Sequence, residues 1–268
     1  SYERLKKQEG IPTVPKERRI RPIHIWQSAA AILFLLLASS VYLSTVGTKA
    51  ETDLLQQYIP IAEMRSLTLP DGTKVQLNSK STLLYPHEFT GDSRSVFLLG
   101  EANFKVKPDK KRPFIVKSND LQITALGTEF NVSAYPESQE IATTLISGSI
   151  RVDYNNLTTS VILHPNEQFA YNRNNKKYDL SNPDMDDVTA WQRGELVLQK
   201  MTLTDIINVL ERKYPYTFVY SIKNLKNDRF SFRFKDNAPL EEVMEIIVNV
   251  VGQMDYRIVE DKCYLTRI

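Results

Sequence analysis

The chain has 268 residues, and its 34 Lys and Arg nearly balance 32 Asp and Glu, giving a formal net charge of +2. This balance carries no polyanion-binding signal, so no direct nucleic-acid partner is expected. A single cysteine, Cys263, excludes an intramolecular disulfide, and stability must come from packed cores. Thirteen Tyr and eleven Phe, with many Val, Ile and Thr, favour strands.

Residues 1–22 are polar and basic, and three prolines predict a disordered arm without a helix. Residues 25–48 carry no charged side chain, and Ala29 to Ala38 is apolar throughout. A helix of that length covers about 36 Å, enough for a hydrocarbon core of about 30 Å. The pattern predicts one transmembrane helix. A cleaved signal peptide and a buried core helix are the alternatives.

The flanks of this run predict its orientation. Residues 1–24 contain seven basic and three acidic residues, and the basic cluster lies beside the apolar run. Positively charged flanks stay in the cytoplasm, so we expect the N-terminus inside and the rest of the chain outside. Because the sequence begins with Ser1, we expect residues 1–24 to be a truncated cytoplasmic stub.

Residues 49–65 are predicted to be a connector, in which 51–57 could continue as a short helix. From residue 66 to 178 the sequence alternates between short β-rich runs and turn signals such as Pro70-Asp71-Gly72. Many short strands without helical periodicity predict an all-β domain, a sandwich, barrel or solenoid.

Residues 179–193 are polar and acidic, which indicates a linker. In residues 194–268 the apolar spacing becomes helical, at Leu203, Ile206, Ile207 and Leu210. The same spacing recurs from Leu240, with strand-like runs on both sides of each helix. The repeat predicts a small α+β domain of duplicated β-α-β units, with the helices on one side of a small sheet.

Apolar side chains on the strands of this last domain are candidates for partner binding. The rings of its Phe ladder alternate with polar residues, and core packing is favoured over a ligand platform. Strand-edge pairing supplemented by apolar side chains is the expected mode of recognition. The candidates are Leu196, Leu198, Phe218, Tyr220, Phe230, Phe232 and Phe234.

Little in the sequence indicates an enzyme. The three histidines are scattered, and no His/Cys cluster has metal-ligand spacing. No Gly-rich phosphate loop precedes a helix, and no Gly-x-Ser-x-Gly elbow occurs. We therefore expect a binding protein without a cofactor or metal.

Four consecutive motifs carry a family resemblance: LPDGTKVQLNSKSTLLYP, VFLLGEANFKVKPDKKRPFIVKS, ALGTEFNVSAY and LISGSIRVDY. In this order after a predicted span, they resemble FecR-type transmembrane regulators, the anti-sigma factors of cell-surface signalling in Gram-negative bacteria. HPNEQFAY and WQRGELVL continue the match. The C-terminal repeat resembles the small domain after FecR domains, which is similar to the secretin and TonB short N-terminal fold.

The resemblance implies a relay. The periplasmic signalling domain of an outer-membrane TonB-dependent transducer contacts the C-terminal region of the regulator. The signal then crosses the inner membrane and reaches an extracytoplasmic-function sigma factor. The sigma-binding region of the family is several helices long, so we expect most of it to be absent from residues 1–24. A structural envelope tether that docks on a secretin-like or TonB-linked assembly is the alternative function.

The resemblance also implies one covalent possibility. Some family members cleave themselves at a Gly-Thr bond in a motif similar to Leu126–Phe130. Here the Thr128 hydroxyl would attack the Gly127 carbonyl. The simpler interpretation, which we favour, is that Gly127 supplies a turn with positive φ between two strands.

Overall fold

The computed structural model describes residues 22–47, 53–221, 228–236 and 238–267. The chain divides into two compact units, Ser1–Glu51 and Thr52–Ile268. The first contains helix α1 (Pro22–Gly47). None of the helices in the part of the chain that the structure describes has the length and hydropathy of a membrane span. The span predicted over 25–48 stays a prediction, and the arm of residues 1–21 lies outside the described residues.

The second unit begins with thirteen strands that form one curled sheet. The many strands confirm the mostly-β character that the turn signals predicted for this region. The strands are β1 (Leu54–Tyr58), β2 (Arg65–Thr68), β3 (Lys74–Leu77), β4 (Thr82–Pro86), β5 (Arg94–Lys105), β6 (Phe114–Lys117), β7 (Gln122–Ala125), β8 (Glu129–Ala134), β9 (Glu140–Ser147), β10 (Ile150–Tyr154), β11 (Thr159–Leu163), β12 (Gln168–Asn172) and β13 (Tyr178–Ser181).

Strand β5 is long enough to belong to both halves of the curled sheet. Its first half pairs with β4 and β6, and its second half pairs with β3 and β8. The change occurs at Gly100, whose φ is +104°. A Cβ there would lie 2.7 Å from the Cα of Ser81, so no larger residue fits. The glycine thus lets one strand turn the sheet onto itself.

Curling encloses a single apolar core. Side chains alternate along the strands, so one row on each strand faces inward. Phe104, Phe114 and Phe130 are fully buried at its centre, with ring centroids 5.4 to 5.9 Å apart along the series. Because the chain has no disulfide, its stability depends on the burial of these aromatic and aliphatic side chains.

The remaining elements follow as a short connection and a small α+β part. They are helix α2 (Met185–Thr189), the 3-10 helix Ala190–Arg193, β14 (Leu196–Thr202), α3 (Leu203–Lys213), β15 (Thr217–Val219), β16 (Arg229–Phe234), α4 (Leu240–Val251), β17 (Met254–Val259) and β18 (Lys262–Arg267).

Both predicted helices of this part are present with the predicted faces. The Thr202 hydroxyl accepts a hydrogen bond from the Asp205 N–H and caps α3, and Pro239 precedes α4. All the apolar positions of the repeat are buried. The strands, however, form two small sheets where one was expected, β14–β16 and β15–β18–β17.

The short helix expected within residues 51–57 is wrong in its described part. Residues 54–58 form β1, which pairs antiparallel with β4 from Leu54 opposite Pro86 to Tyr58 opposite Thr82. Leu55 and Gln57 are partly buried and their neighbours exposed, the period of a strand. Pairing with a distant strand outweighs the weak local helix preference.

The linker predicted at 179–193 contains ordered structure. The Asp184 carboxylate accepts from the Asp186 N–H and caps α2. The 3-10 helix then ends at Gly194, whose φ of +79° closes it. The acidic run therefore leads into a compact connection that carries Trp191.

Candidate partner interface

The seven predicted partner-binding residues all belong to the core of the α+β part. Leu196, Leu198, Phe218, Phe232 and Phe234 are at most 8% exposed. Tyr220 and Phe230 are partly buried and pack against the same core. This agrees with the core alternative for the Phe ladder, in which successive rings stack with centroids 6.3 and 6.0 Å apart. A contact between any of them and a partner stays a prediction.

The surface of the same part offers a strand edge and exposed apolar side chains. Strand β17 lies at the edge of its sheet, so one row of its backbone groups faces outward. Val259 on β17 is 43% exposed, and Ile246 and Val250 on α4 are 40% and 59% exposed. Apolar side chains beside a free edge suit an added strand, which pairs through its main chain.

Helix α4 is held beside this edge. The Tyr256 hydroxyl on β17 donates to the carbonyl of Glu241 in the first turn of α4, at 3.1 Å. Val243 and Ile247 on the same helix are buried in the core. The core therefore fixes the helix that carries the exposed Ile246 and Val250.

Arg212 links the α+β part to the β sheet. Its guanidinium lies 3.8 Å from the ring centroid of Tyr135, and its Nη1 is 2.7 Å from Glu137 Oε1. Its carbonyl also accepts a hydrogen bond of 3.0 Å from the N–H of Ala62. Arg212, near the C-terminal end of α3, thus contacts three residues of the β-sheet part: Ala62, Tyr135 and Glu137. We call this group the Arg212 latch.

A second link runs through Trp191. Its indole N–H donates to Asn131 Oδ1 at 3.3 Å, and the Asn131 amide donates to Glu101 at 3.0 Å. The Asn78 amide donates to the other oxygen of Glu101 at 2.8 Å. Trp191 is therefore joined to a carboxylate on β5 through one amide.

Glu101 and Arg212 line the same cleft of about 700 Å³ between the sheet and the α+β part. Loss of hydration raises the pKa of Glu101, an effect that the two amide donors and Arg212 oppose. Polar groups of the sheet and of the α+β part thus meet in the cleft, beside apolar lining residues such as Trp191, Met201 and Val209.

The connection itself is tied to β16 by Arg233. Its guanidinium lies 2.6 Å from both Asp186 and Asp187 and 3.0 Å from Glu195. The Arg233 guanidinium holds the pKa of Asp186 and of Glu195 below the ordinary carboxyl range. The cluster is exposed, so salt will screen it.

Gly127 and Thr128 lie between β7 and β8. The φ of Gly127 is +147°, and an added Cβ would approach Pro108 Cα at 2.9 Å. Thr128 is buried, its carbonyl accepts from the Val106 N–H, and its hydroxyl has no partner among the described residues. These contacts give Gly127 a structural role. A Thr128→Ala variant that runs as the same full-length band as the parent would end the self-cleavage idea.

Within the described ranges, no group of three or more His, Cys, Asp or Glu side chains could hold a metal ion. Cys263 is buried in the core of the α+β part, and burial, with Glu241 a smaller cause, raises its pKa to about 11. A thiol in this state is a packing group rather than a nucleophile.

Comparison with known proteins agrees with this architecture. The family model described as FecR protein matches residues 59–151, and the one described as FecR, C-terminal, matches residues 195–265. Among curated proteins, none matches the chain.

Two crystal structures from Parabacteroides distasonis ATCC 8503, at 2.50 and 1.65 Å resolution, match most of the chain; each is described as a candidate anti-sigma factor. Both are 34% identical to it, with TM-scores of 0.76 and 0.75. The matches cover 81% and 80% of this chain, and 100% and 99% of theirs.

The chain therefore belongs to the FecR family, with the FecR domain in the curled sheet and the FecR C-terminal domain in the α+β part. Family and structural neighbours together support the role of an anti-sigma regulator, which has a sigma factor as partner. The family resemblance read from the sequence motifs is confirmed.

Proposed function

We propose that this regulator relays a signal from the periplasmic signalling domain of an outer-membrane TonB-dependent transducer to an extracytoplasmic-function sigma factor. The observation that carries the proposal is the free edge of β17 with exposed Val259 and, on α4, Val250. The relay needs no chemical turnover. The anti-sigma role of the family supports the sigma factor as the other end of this relay.

The transducer's signalling domain adds a strand to β17. Main-chain hydrogen bonds give such a complex its affinity, and the neighbouring side chains give it specificity. Phe218 is on β15, in the sheet of β17, and the other six predicted residues pack in or against the same core, so all seven support the edge. Their role is to position the edge.

The Arg212 latch gives the bound partner a route to the β sheet. Helix α3 is anchored in the same core as α4 through Ile206, Ile207 and Leu210, and it ends at the latch. Binding that shifts this core changes the contacts of Arg212 with Tyr135 and Glu137. These contacts form a continuous physical connection between the two parts.

For location, we propose an inner-membrane protein with a single span at residues 25–48, a cytoplasmic N-terminus and periplasmic C-terminal domains. The uncharged run and its basic flank support this placement. Contact with the sigma factor is assigned to the cytoplasmic side. Carbonate-resistant membrane association, with protease digestion of the C-terminal domains in spheroplasts, is the expected result. Release by carbonate would contradict the span.

Isothermal titration calorimetry of the purified full chain with a transducer signalling domain tests the relay. Val259→Asp puts a charge beside the strand edge, and we expect binding at least about 10-fold weaker, equal to 1.4 kcal/mol. Ile162→Asp is the matched control, because Ile162 is 60% exposed on β11, an edge strand of the other sheet.

Equal affinity for the parent and the Val259→Asp variant would remove β17 from the interface. Complete absence of binding by the parent, with the cognate domain from the same operon, would contradict the relay itself. Weakening by Ile162→Asp alone would move the interface to the β sheet.

A further inference from the structure

A continuous polar row crosses the outer face of the β sheet. Cross-strand partners follow one another over seven strands, and every member has a hydroxyl or amide side chain. Successive partners point to the same face of a sheet, so these groups form one line. The row is Ser66, Gln76, Asn103, Asn131, Thr144, Gln168 and Ser181.

Part of this row satisfies its own hydrogen bonds. Thr144 donates to Gln168 at 2.8 Å, and Asn131 is bonded on both sides, to Glu101 and to Trp191. At this end the α+β part and its connection cover the sheet. The polar groups here act as a structural junction.

The adjacent Asn103 differs. It is only 6% exposed, yet its Nδ2 has no hydrogen-bond partner among the described residues. Gln192, in the 3-10 helix, likewise has a buried Nε2 without a partner. Two buried amide donors left unpaired are unfavourable, and native folds seldom keep them without an acceptor.

Asn103 and Gln192, whose amide nitrogens lie buried just beneath the surface, both line one groove of about 520 Å³. Its floor is the outer face of β2, β3 and β5, where the row of Asn103 runs beside the row of Lys74, Lys105 and Glu129. Lys105 Nζ is 3.3 Å from Glu129, which neutralises one charge. Lys74 takes part in none of the ion pairs of the described residues, so the groove keeps one surplus positive charge.

We propose that this groove is a binding site for a carboxylate group, held by the side-chain amides of Asn103 and Gln192 and by the ammonium of Lys74. Two N–H donors and one positive charge match the two oxygens and single negative charge of a carboxylate. The groove is outside the β17 edge, and the proposal does not depend on the relay. The carboxylate comes from a small dicarboxylic acid or from an acidic side chain of a partner chain.

The ¹⁵N-labelled full chain, titrated with succinate and separately with an acetylated, amidated Glu-Glu-Glu peptide, tests the site. The side-chain amide signals of Asn103 and Gln192, assigned by their loss in Asn103→Leu and Gln192→Leu, are expected to shift saturably with one of the two probes. The probe that binds more tightly identifies the source of the carboxylate. Succinamide and the Gln-Gln-Gln peptide are the uncharged controls.

Calorimetry then measures the contribution of each group. We expect Gln192→Leu and Lys74→Met each to weaken binding about 10-fold, and Lys177→Met, an exposed lysine outside the groove, to leave it unchanged. Gln192→Leu and Lys74→Met keep the test open should Asn103→Leu fail to fold. No saturable shift with either probe, equal binding of the uncharged controls, tighter binding of inorganic phosphate, or unchanged affinity in both variants would overturn the proposal.

Discussion

Replacing Arg212 with Met is expected to loosen the α+β part from the β sheet while leaving both cores folded. Met keeps the length and much of the apolar contact of the Arg side chain but removes its charge. The change abolishes the ion pair with Glu137 and the stacking on Tyr135. Neither Glu137 nor Tyr135 belongs to the core of the α+β part, so losing these contacts leaves that core intact.

The magnitude follows from the two contacts. A cation–π contact that is partly shielded from water contributes about 1–2 kcal/mol, and an ion pair near the surface contributes up to about 1 kcal/mol. The Arg212 side chain is 11% exposed, which favours the upper part of these ranges. Because the contacts share one side chain they do not add fully, so we expect a loss of about 2 kcal/mol, or about 30-fold in the equilibrium between docked and open forms.

Trp191 reports this equilibrium because its indole bonds to Asn131 across the same junction. The chain has one other tryptophan, Trp26, so a Trp26→Phe background leaves Trp191 as the single fluorescent tryptophan. In a urea titration the emission of Trp191 is expected to change at a lower concentration in Arg212→Met than in the parent. Far-UV circular dichroism, which follows the strands, is expected to change later.

Arg257→Met is the matched control. Arg257 also lies over an aromatic ring, 5.6 Å from the centroid of Tyr264, but it is on β17, within the α+β part. We expect no early Trp191 transition in this variant. Coincident transitions in Arg212→Met, or an equal early transition in Arg257→Met, would refute the latch.

Three further predictions concern stability and reactivity. Asp71→Asn leaves the buried guanidinium of Arg94, now 2.7 Å from Asp71, without its charge partner, so urea unfolding should show a loss of about 3–5 kcal/mol, whereas Glu63→Gln in an exposed pair should lose less than about 1. The raised pKa of Glu101 means that the folded state retains its proton above the ordinary value of 4.5; stability should therefore fall as pH rises from there through the folded pKa, and Glu101→Gln should flatten that slope in urea titrations at successive pH values. Cys263, with a pKa of about 11, should react with a thiol reagent at pH 8 only after unfolding, and rapid reaction of the folded chain would contradict its burial.

Short-range sequence patterns were sufficient to predict the elements whose apolar residues recur at a regular spacing. The spacing Leu203, Ile206, Ile207, Leu210 predicted a buried helix face, and Thr202 predicted its cap, because both depend on residues one or two turns apart. Turn signals likewise indicated the many strands. In contrast, β1 was missed because its conformation depends on β4, whose paired residues lie 24 to 32 positions further along the chain.

The junction was not visible in the sequence for a related reason. Arg212, Tyr135 and Glu101 come from separate elements, and none has a neighbour in sequence that indicates its partner. Trp191 was the one available signal, a large aromatic residue in a polar connection. The packing of the Phe ladder in the core could be seen only in the structure, since alternation alone cannot tell a core face from an exposed one.

The proposed transmission of an external signal through the C-terminal part is measured most directly by a sigma-dependent transcription reporter in cells. The strain carries the transducer and either the parent regulator, Val250→Asp at the exposed face of α4, or Ile162→Asp on β11. We predict that the transducer's ligand changes reporter output with the parent and with Ile162→Asp, and that Val250→Asp abolishes the response while the protein remains present at normal levels. An unchanged response in Val250→Asp, or in a strain without the regulator, would contradict the account.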